Sequence, residues 1–420
     1  MTDVTTNKAT PPPTLLDRSD ERVAVTQGVG GAVRNFGRRV RAGDLGALPV
    51  IVGLVIICIV FQALNTVFLS ANNLVNLLFD SCSVGVISLG IVCVLMLGEI
   101  DLSVGSVSGL SSAILGVLWV NHGAPVLLAI VIAAVSGLVI GAVYAVLFTR
   151  FGMPSFVATL AGLLAFLGLQ LNLLGQKGSI NLPYGSAVTN FGQLNFMPPV
   201  VAYILAAVVA AGIFASGLRT ITRRRSAGLS AKPLSVLITQ SVAVLVVLEF
   251  VVWYLDRDRG VAWMFGVFAA LVIVMHYAFT RTKWGRSVTA VGGNREAARR
   301  AGIKVDRIYL SCFMLCSLFA AIGGILGAAR LASSSQSAGT GDVNLNAIAA
   351  AVIGGTSLFG GRGNAYSALL GVLVIQAIAS GLTLLNLSSS LRFMITGAVL
   401  AVAVLVDSLA RRSRAAHGAA

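Results

Sequence analysis

Charged residues are scarce in this sequence. Of its 420 residues only 11% are Asp, Glu, Lys or Arg, while 57% are hydrophobic. A soluble domain carries about a quarter charged residues. The mean hydropathy of +0.91 means that most of the surface must face lipid rather than water. The composition therefore excludes a soluble enzyme and predicts a polytopic membrane protein.

Residues typical of metal and nucleotide chemistry are also few. The chain has three histidines, too scattered for a histidine-bearing metal centre, and five cysteines without C-x-x-C spacing. The cysteines lie in or beside apolar stretches, which is typical of small buried residues. None of the lysines follows a glycine, so the chain lacks the Gly-Lys-Ser/Thr loop that binds nucleotide phosphates. We expect no metal, no cofactor and no ATP hydrolysis on this chain.

Long apolar stretches follow a polar start. Residues 1–47 carry seven basic and five acidic residues, a run of three prolines and no apolar core, which predicts a disordered cytoplasmic tail and no cleavable signal sequence. A membrane-spanning helix needs about 20 apolar residues. On that basis we predict an all-α membrane bundle of about twelve spans, with a membrane-embedded body over 48–410 and a short tail at 411–420. The predicted spans are 48–68, 84–98, 102–119, 124–148, 155–176, 198–218, 234–255, 261–280, 308–328, 346–359, 365–386 and 391–409, of which those at 84 and 346 are short.

The distribution of basic residues predicts the orientation. With twelve spans and the tail inside, 25 of the 30 Lys and Arg residues fall on the cytoplasmic side. This is the asymmetry that orients membrane proteins, and miscounting one central span would remove it. Both termini are therefore predicted to be cytoplasmic. Clusters between uncharged spans do not make a nucleic-acid-binding face, so no nucleic acid partner is expected.

The loop 281–307 predicts a short cytoplasmic helix. Gly292 and Gly293 break the chain, Asn294 can cap a helix over Arg295–Ala301, and Gly302 can end it. The charges suit the helix dipole, with one acidic residue, Glu296, in the first turn and arginines in the last.

Small residues recur four apart on this helix. Ala297 pairs with Ala301, and Ala298 with Gly302, which predicts one side that another surface can approach closely. The helix therefore either docks in a partner's groove or is a basic surface helix that only anchors the topology.

Two interrupted stretches are candidates for a translocation path. In GEIDLSVGS, Asp101 precedes an apolar helix with Ser103 in its first turn, which favours an N-cap at the membrane boundary. Glu99 and Asp101 lie two apart on different faces, which argues against a catalytic pair. A glycine-rich run, Gly354, Gly355, Gly360, Gly361 and Gly363, joins two spans and predicts either exposed backbone along a substrate path or close helix packing.

Three side chains inside predicted spans are candidates for function: Phe166, Gln170 and Glu249. Phe166 and Gln170 share a helix face, and a ring with an amide can hold a sugar, although helix-to-helix hydrogen bonding is the alternative. Glu249 is the one carboxylate well inside a predicted span. It lies near the outer end, where its side chain can reach the interface.

These motifs together carry a family resemblance. Glu296, Ala297, Ala298 and Gly302 resemble the Glu-Ala-Ala...Gly loop by which permease subunits of ABC importers engage their ATP-binding cassettes. The stretches GEIDLSVGSVSGL (98–110), FVATLAGLL (156–164) and AGTGDVNLNAIAAAVIGGTSLFGGRGN (338–364) are similar to the monosaccharide branch, which includes ribose, galactose and xylose permeases. The resemblance runs from about 48 to 410. The extra span pair at 198–255 resembles the insertion of xylose-type permeases, whereas Glu99 stands where the family commonly has a small residue.

The resemblance implies a sugar importer without covalent chemistry on this chain. It implies a homodimer in the bacterial cytoplasmic membrane, an ATP-binding cassette subunit that holds ATP and Mg²⁺ and docks on residues 292–303, and an extracytoplasmic binding protein that delivers a monosaccharide. The alternative is a secondary sugar transporter driven by H⁺ or Na⁺, which needs a carboxylate or cation site near mid-membrane.

Overall fold

The computed structural model describes residues 48–388, 390–391, 393–398, 401 and 405, and these are mostly helical. The predicted tails, 1–47 and 411–420, and most of the predicted last span lie outside the described residues. The helices are α1 (Leu48–Leu64), α2 (Ala71–Leu95), α3 (Val104–Gly116, continued by a π-helical turn Val117–Asn121), α4 (Val126–Phe151), α5 (Ser155–Leu174), α6 (Ala187–Gln193), α7 (Pro199–Ser226), α8 (Leu234–Leu255), α9 (Trp263–Arg281), α10 (Lys283–Gly293), α11 (Arg295–Arg300), α12 (Val305–Leu331), α13 (Val343–Ile353) and α14 (Ala365–Leu384).

The helices confirm the all-α membrane fold. Within the described residues, nine are long and apolar enough to cross a membrane, and α1 and α13 are shorter apolar helices. Three predicted bounds were clearly wrong, one of them the end of the span predicted at 198–218, since α7 continues to Ser226. The segment at 84–98 is the end of α2, which begins at Ala71 behind the cap of Ser70 because asparagines in its first turns masked the apolar pattern. The segment at 346–359 contains only α13, since residues after Ile353 leave the helix.

Helix α12 lies at the centre of the larger structural unit, which comprises the described residues of 48–198 and 255–405. It packs against α2, α3 and α4 along most of its length. Small residues allow this closeness. Gly90 lies against the backbone of Cys316, Gly324 against that of Ser108, and Gly141 against that of Phe313, so that a side chain at any of them would meet main-chain atoms.

Helices α2 and α3 run antiparallel, since Asn76 near the start of α2 bonds to Arg330 and Gly116 at the end of α3 lies against Ser334, while Met96 between them lies against Gly292. Between α2 and α3 the chain leaves the helix over residues 96–103, and α3 then begins beside the middle of α12. Helix α13 has 11 residues, about 16 Å, which is half the thickness of a bilayer core. It is followed by the glycine-rich loop 354–364.

The two ends of the unit differ in structure. One end carries α10, α11 and the basic loop 281–307, and we call it the basic end. The opposite end carries α6 and a small antiparallel hairpin of β1 (Ser179–Asn181) and β2 (Ser333–Ser335), in which Ile180 pairs with Ser334.

Residues 199–254 form a separate compact unit, the helical pair α7 and α8. Within it the pair is joined by the basic turn 227–233, where the Nε of Arg224 donates to the carbonyl of Ser230 at 2.6 Å. This unit corresponds to the span pair predicted at 198–255. That the pair is an insertion stays a prediction.

Candidate functional site

Helices α10 and α11 form the most exposed structured surface of the basic end. Thr282 caps α10 by accepting a hydrogen bond from the Gly285 backbone. The buried face of α10, Gly285, Val288 and Val291, faces the bundle, and the indole N–H of Trp284 donates to Ser311 of α12 at 2.8 Å. Residues 281–294 were predicted as a loop after the span 261–280, so α10 was missed.

The predicted caps of α11 are present. The Asn294 side chain accepts from the backbone N–H of Ala297 at 2.9 Å, and Gly302 has a left-handed backbone with φ of +82°. On the surface, Glu296 pairs with Arg299 at 3.1 Å.

The side of α11 lined by small residues was predicted incorrectly. Ala297 is exposed, whereas Ala298 is buried in the core of the bundle. The helix turns by about 100° per residue, and here that turn places Ala297 on the exposed side and Ala298 on the buried side. The surface open to a partner therefore carries Gly293, Asn294, Glu296, Ala297, Ala301 and Gly302, while Ala298 anchors the helix from below.

The α2–α3 break and the loop 354–364 both meet the start of this surface through glycines. Gly292 packs against the carbonyl of Met96, in the α2–α3 break, and a Cβ at Gly292 would lie 2.7 Å from the Gly361 nitrogen. The Gly361 backbone N–H donates to that same Met96 carbonyl at 2.9 Å. Gly360, with φ of +80°, lies against Gly98. We call Gly98, Gly292, Gly360 and Gly361 the glycine seam.

The other two glycines of the predicted path behave differently from each other. Gly354 packs against the backbone of Ser367 in α14, where a side chain would clash. Gly355 has open space and a φ of +105°. For Gly354, Gly360 and Gly361 the contacts are those of close packing, which was the alternative interpretation.

Asp101 lies deeper than predicted. Its carboxylate accepts from the Ser103 backbone at 2.8 Å and from the Ser103 hydroxyl at 2.7 Å, so it holds the turn just before α3, but the N-cap position is Ser103 and the predicted N-cap role of Asp101 was wrong. It is 1% exposed and its other oxygen faces the Cys316 thiol at 3.6 Å. Cys316 is near the middle of α12, so Asp101 lies inside the bundle rather than at the membrane boundary.

Glu99 is half-buried at the edge of the break. Its two oxygens accept from the Ser155 hydroxyl at 2.5 Å and from the Tyr309 hydroxyl at 3.4 Å. One turn beyond Ser155, Thr159 accepts from the Leu102 backbone at 3.2 Å. The start of α5, in the FVATLAGLL stretch, thus holds residues 99–102. Sequence reasoning missed Ser155, Thr159 and Tyr309 because single hydroxyls in apolar helices carry no periodic signal.

Phe166 and Gln170 do not form a joint ligand face. Gln170 is fully buried, and its amide N–H₂ donates to the carbonyls of Ser335 and Ala338, each at 2.9 Å. Phe166 makes an edge-on contact with Tyr144 and lines an open apolar groove between α3, α4 and α5. The alternative interpretation, hydrogen bonding between segments, describes Gln170.

The remaining candidates are possible metal ligands, the cysteines and Glu249. In the described part of the chain, no group of three or more His, Cys, Asp or Glu residues could hold an ion. All five cysteines are free thiols. Glu249 lies near the end of α8, in the smaller unit, one turn before Trp253.

Comparison with known proteins identifies the family. Residues 73–404 match the family described as branched-chain amino acid transport system / permease component. The chain is 34% identical over 345 residues to the xylose transport system permease protein of Escherichia coli K12, covering 82% of this chain and 87% of that protein. It is 31% identical to the corresponding protein of Haemophilus influenzae, covering 88% of this chain and 98% of that protein.

A ribose permease is similar over a comparable length. The chain is 33% identical to the ribose import permease protein of Bacillus subtilis, covering 87% of this chain and 94% of that protein. No solved structure matches the chain at a significant level. The match spans the α2–α3 break, α13 and the α10–α11 surface, so the chain is a multi-pass membrane protein that belongs to the family of transport permease components.

Proposed function

We propose that this chain is the permease subunit of an ATP-driven monosaccharide importer, with xylose the favoured substrate. The observation that carries the proposal is the similarity to xylose and ribose permeases, which covers more than four-fifths of this chain. The expected setting is the bacterial cytoplasmic membrane, with the basic end in the cytoplasm.

The proposed coupling surface is the exposed face of α11 with its flanking glycines. Gly293, Asn294, Glu296, Ala297 and Gly302 present a capped helix with small side chains, which an ATP-binding cassette subunit can approach closely. Ala298 fixes this helix to the core. ATP and Mg²⁺ would bind the partner, and this chain would hold no cofactor.

The translocation path is proposed to run beside the α2–α3 break and beside α13 with the loop 354–364. Non-helical backbone within the membrane is tolerated only where it is buried in protein or lines a water-filled cavity, as along a substrate path. Asp101, Ser103, Gly355 and the glycine seam belong to these breaks, whereas Phe166 and Gln170 flank them. A second copy of this chain and an extracytoplasmic sugar-binding protein complete the proposed assembly.

Transport into proteoliposomes tests the proposal. The permease is reconstituted with the ATPase subunit and binding protein of its transport system, and radiolabelled D-xylose is the probe, with D-ribose in parallel. We expect uptake that requires ATP and the binding protein and that persists when a protonophore dissipates the proton gradient. Glu249→Gln serves as the control for an ion-driven mechanism and should transport at the parental rate.

The opposite results would favour the secondary transporter. Uptake that stops with the protonophore at constant ATP, or that proceeds without the ATPase subunit, would contradict the importer. Loss of uptake in Glu249→Gln, with the protein still assembled, would point to the same alternative.

A further inference from the structure

We propose that Glu99 is a positioning residue that fastens the coupling helix α11 to the α2–α3 break and so passes movement of α11 to the start of α3. The inference rests on the proposed function, because it assumes that an ATPase subunit moves α11. It concerns a residue at which the family resemblance predicts nothing.

The carboxylate of Glu99 joins three elements. It belongs to the break, it accepts from Ser155 in the first turn of α5 at 2.5 Å, and it accepts from Tyr309 in the second turn of α12 at 3.4 Å. Ser155 and Tyr309 are 6% and 2% exposed, so both donors are held away from solvent. Hydrogen bonds to an ionised group are stronger than neutral ones, and burial strengthens them further.

Arg295 brings α11 into the same cluster. It is the first residue of α11, and its guanidinium lies 5.1 Å from the Tyr309 ring centroid and 5.3 Å from that of Phe148. These two rings stack at 4.6 Å. The buried Nε of Arg295 finds no hydrogen-bond partner among the described residues, so the cation is stabilised there by ring faces, one of which belongs to the Tyr309 that also donates to Glu99.

Only a few residues of the chain separate Glu99 from the interior of the bundle. Gly98, just before Glu99, lies in the glycine seam. Asp101, two residues after Glu99, accepts a hydrogen bond from the backbone of Ser103, the residue at which α3 begins. A displacement of Arg295 therefore acts on residues 99–102, which lead directly to Ser103 at the N-terminus of α3. Such a short, fully bonded connection transmits a shift of the helix instead of absorbing it.

Charge removal at each partner and at both tests the link. The variants are Glu99→Gln, Arg295→Gln and the double variant, reconstituted with the ATPase subunit and binding protein. The quantity measured is sugar taken up per ATP hydrolysed, using the same radiolabelled probe. Arg307→Gln is the matched control, since Arg307 is an exposed cation of the basic end outside this cluster.

We expect each single variant to lower uptake per ATP about tenfold, the loss of one charge-assisted contact. The double variant should be no worse than either single one, because the partners act as a unit. The pair Glu99→Gln with Arg307→Gln should instead be additive. Thermal unfolding and co-purification of the ATPase subunit should stay parental, which a purely structural role would not predict.

Two results would overturn the inference. One is parental uptake per ATP in Glu99→Gln, and the other is additive loss in the double variant. If Glu99→Gln fails to assemble, Tyr309→Phe removes only one hydroxyl donor while keeping the ring, and it should still lower uptake per ATP. These outcomes leave the ATP dependence of the parental protein intact, so they are distinguishable from failure of the proposed function.

Discussion

Asp101 shows how a carboxylate can be stable deep inside a membrane protein. Its oxygens accept from the Ser103 backbone and hydroxyl and face the Cys316 thiol, and it lies at the positive end of the α3 dipole. These contacts satisfy the group without a bound cation. A buried acid at mid-depth would by itself favour an ion-driven transporter, but here the donors of its own helix account for it.

Gly302 makes a prediction about backbone conformation alone. Its φ is +82°, and a Cβ there would meet no atom within 4 Å, so strain rather than space opposes a side chain. Gly302→Val should lose most uptake and ATPase co-purification, whereas Gly302→Asn, which tolerates a left-handed backbone, should retain both. Equal behaviour of the two variants in the proteoliposome assay would contradict this role for the glycine.

Gln170 makes a second prediction at this scale. Its amide fastens the segment after β2 to α5 through two carbonyls, so Gln170→Leu leaves both without a donor in a buried site. We expect the free energy of unfolding to fall by about 2 kcal/mol, measured by thermal unfolding in detergent. Asn172→Leu, an exposed amide on the same helix, is the control and should unfold at the parental temperature.

At the scale of elements, two non-helical segments and the coupling surface form one junction. The α2–α3 break and the loop 354–364 both reach the start of α11 through the glycine seam, although they are separated by more than 250 residues of sequence. Close main-chain packing leaves no soft side chains between these elements. A shift of α11 would therefore move both breaks together.

Adjacent glycines test the seam. At Gly292 a Cβ would run into the Met96 carbonyl, whereas at Gly293 nothing lies within 4 Å and φ is not positive. Gly292→Ala should lower the free energy of unfolding by about 1–3 kcal/mol and abolish uptake, as overpacking does elsewhere. Gly293→Ala should fold as the parent does. Parental thermal unfolding of Gly292→Ala would mean that the seam can separate without cost.

At the scale of the whole molecule, the two ends carry different charge arrangements. The basic end exposes more basic than acidic residues on α10 and α11, where Arg299 pairs with Glu296. At the opposite end of the larger unit, Arg330 pairs with Asp80 at 2.9 Å and Arg259 with Asp258 at 2.9 Å. Arg330 also lies over the Phe79 ring. Neutralised arginines at one end and excess cations at the other match the predicted orientation.

Cysteine labelling tests that orientation. Ser226→Cys, at the end of α7, is predicted to be cytoplasmic, and Tyr184→Cys, at an 84% exposed position near the hairpin, extracytoplasmic. A membrane-impermeant maleimide should label only Tyr184→Cys in intact cells, and Ser226→Cys only after permeabilisation. The parental protein, with its own five cysteines, is the background control. Labelling of Ser226→Cys in intact cells would invalidate the predicted span order.

Much of the fold could be predicted from local sequence. Apolar stretches of span length mark the long helices because lipid requires every backbone group to be bonded within its own helix. Asn294 and Gly302 were predicted as the ends of α11, because capping depends on a few adjacent residues. Depth was not predictable for Asp101, since it depends on where α3 begins beside α12. The start of α2 was missed, because its polar first turns break the apolar pattern.

The sequence by itself determined that this chain is a polytopic helical membrane protein, because the scarcity of charge and the length of the apolar stretches leave no other way to satisfy its backbone. It also determined where α11 begins and ends. Only the tertiary structure decided that Gly98, Gly292 and Gly361 form one seam and that Glu99, Ser155, Tyr309 and Arg295 form one cluster. Their contacts join residues up to about 260 positions apart, and such contacts follow from how the helices pack, which no local pattern encodes.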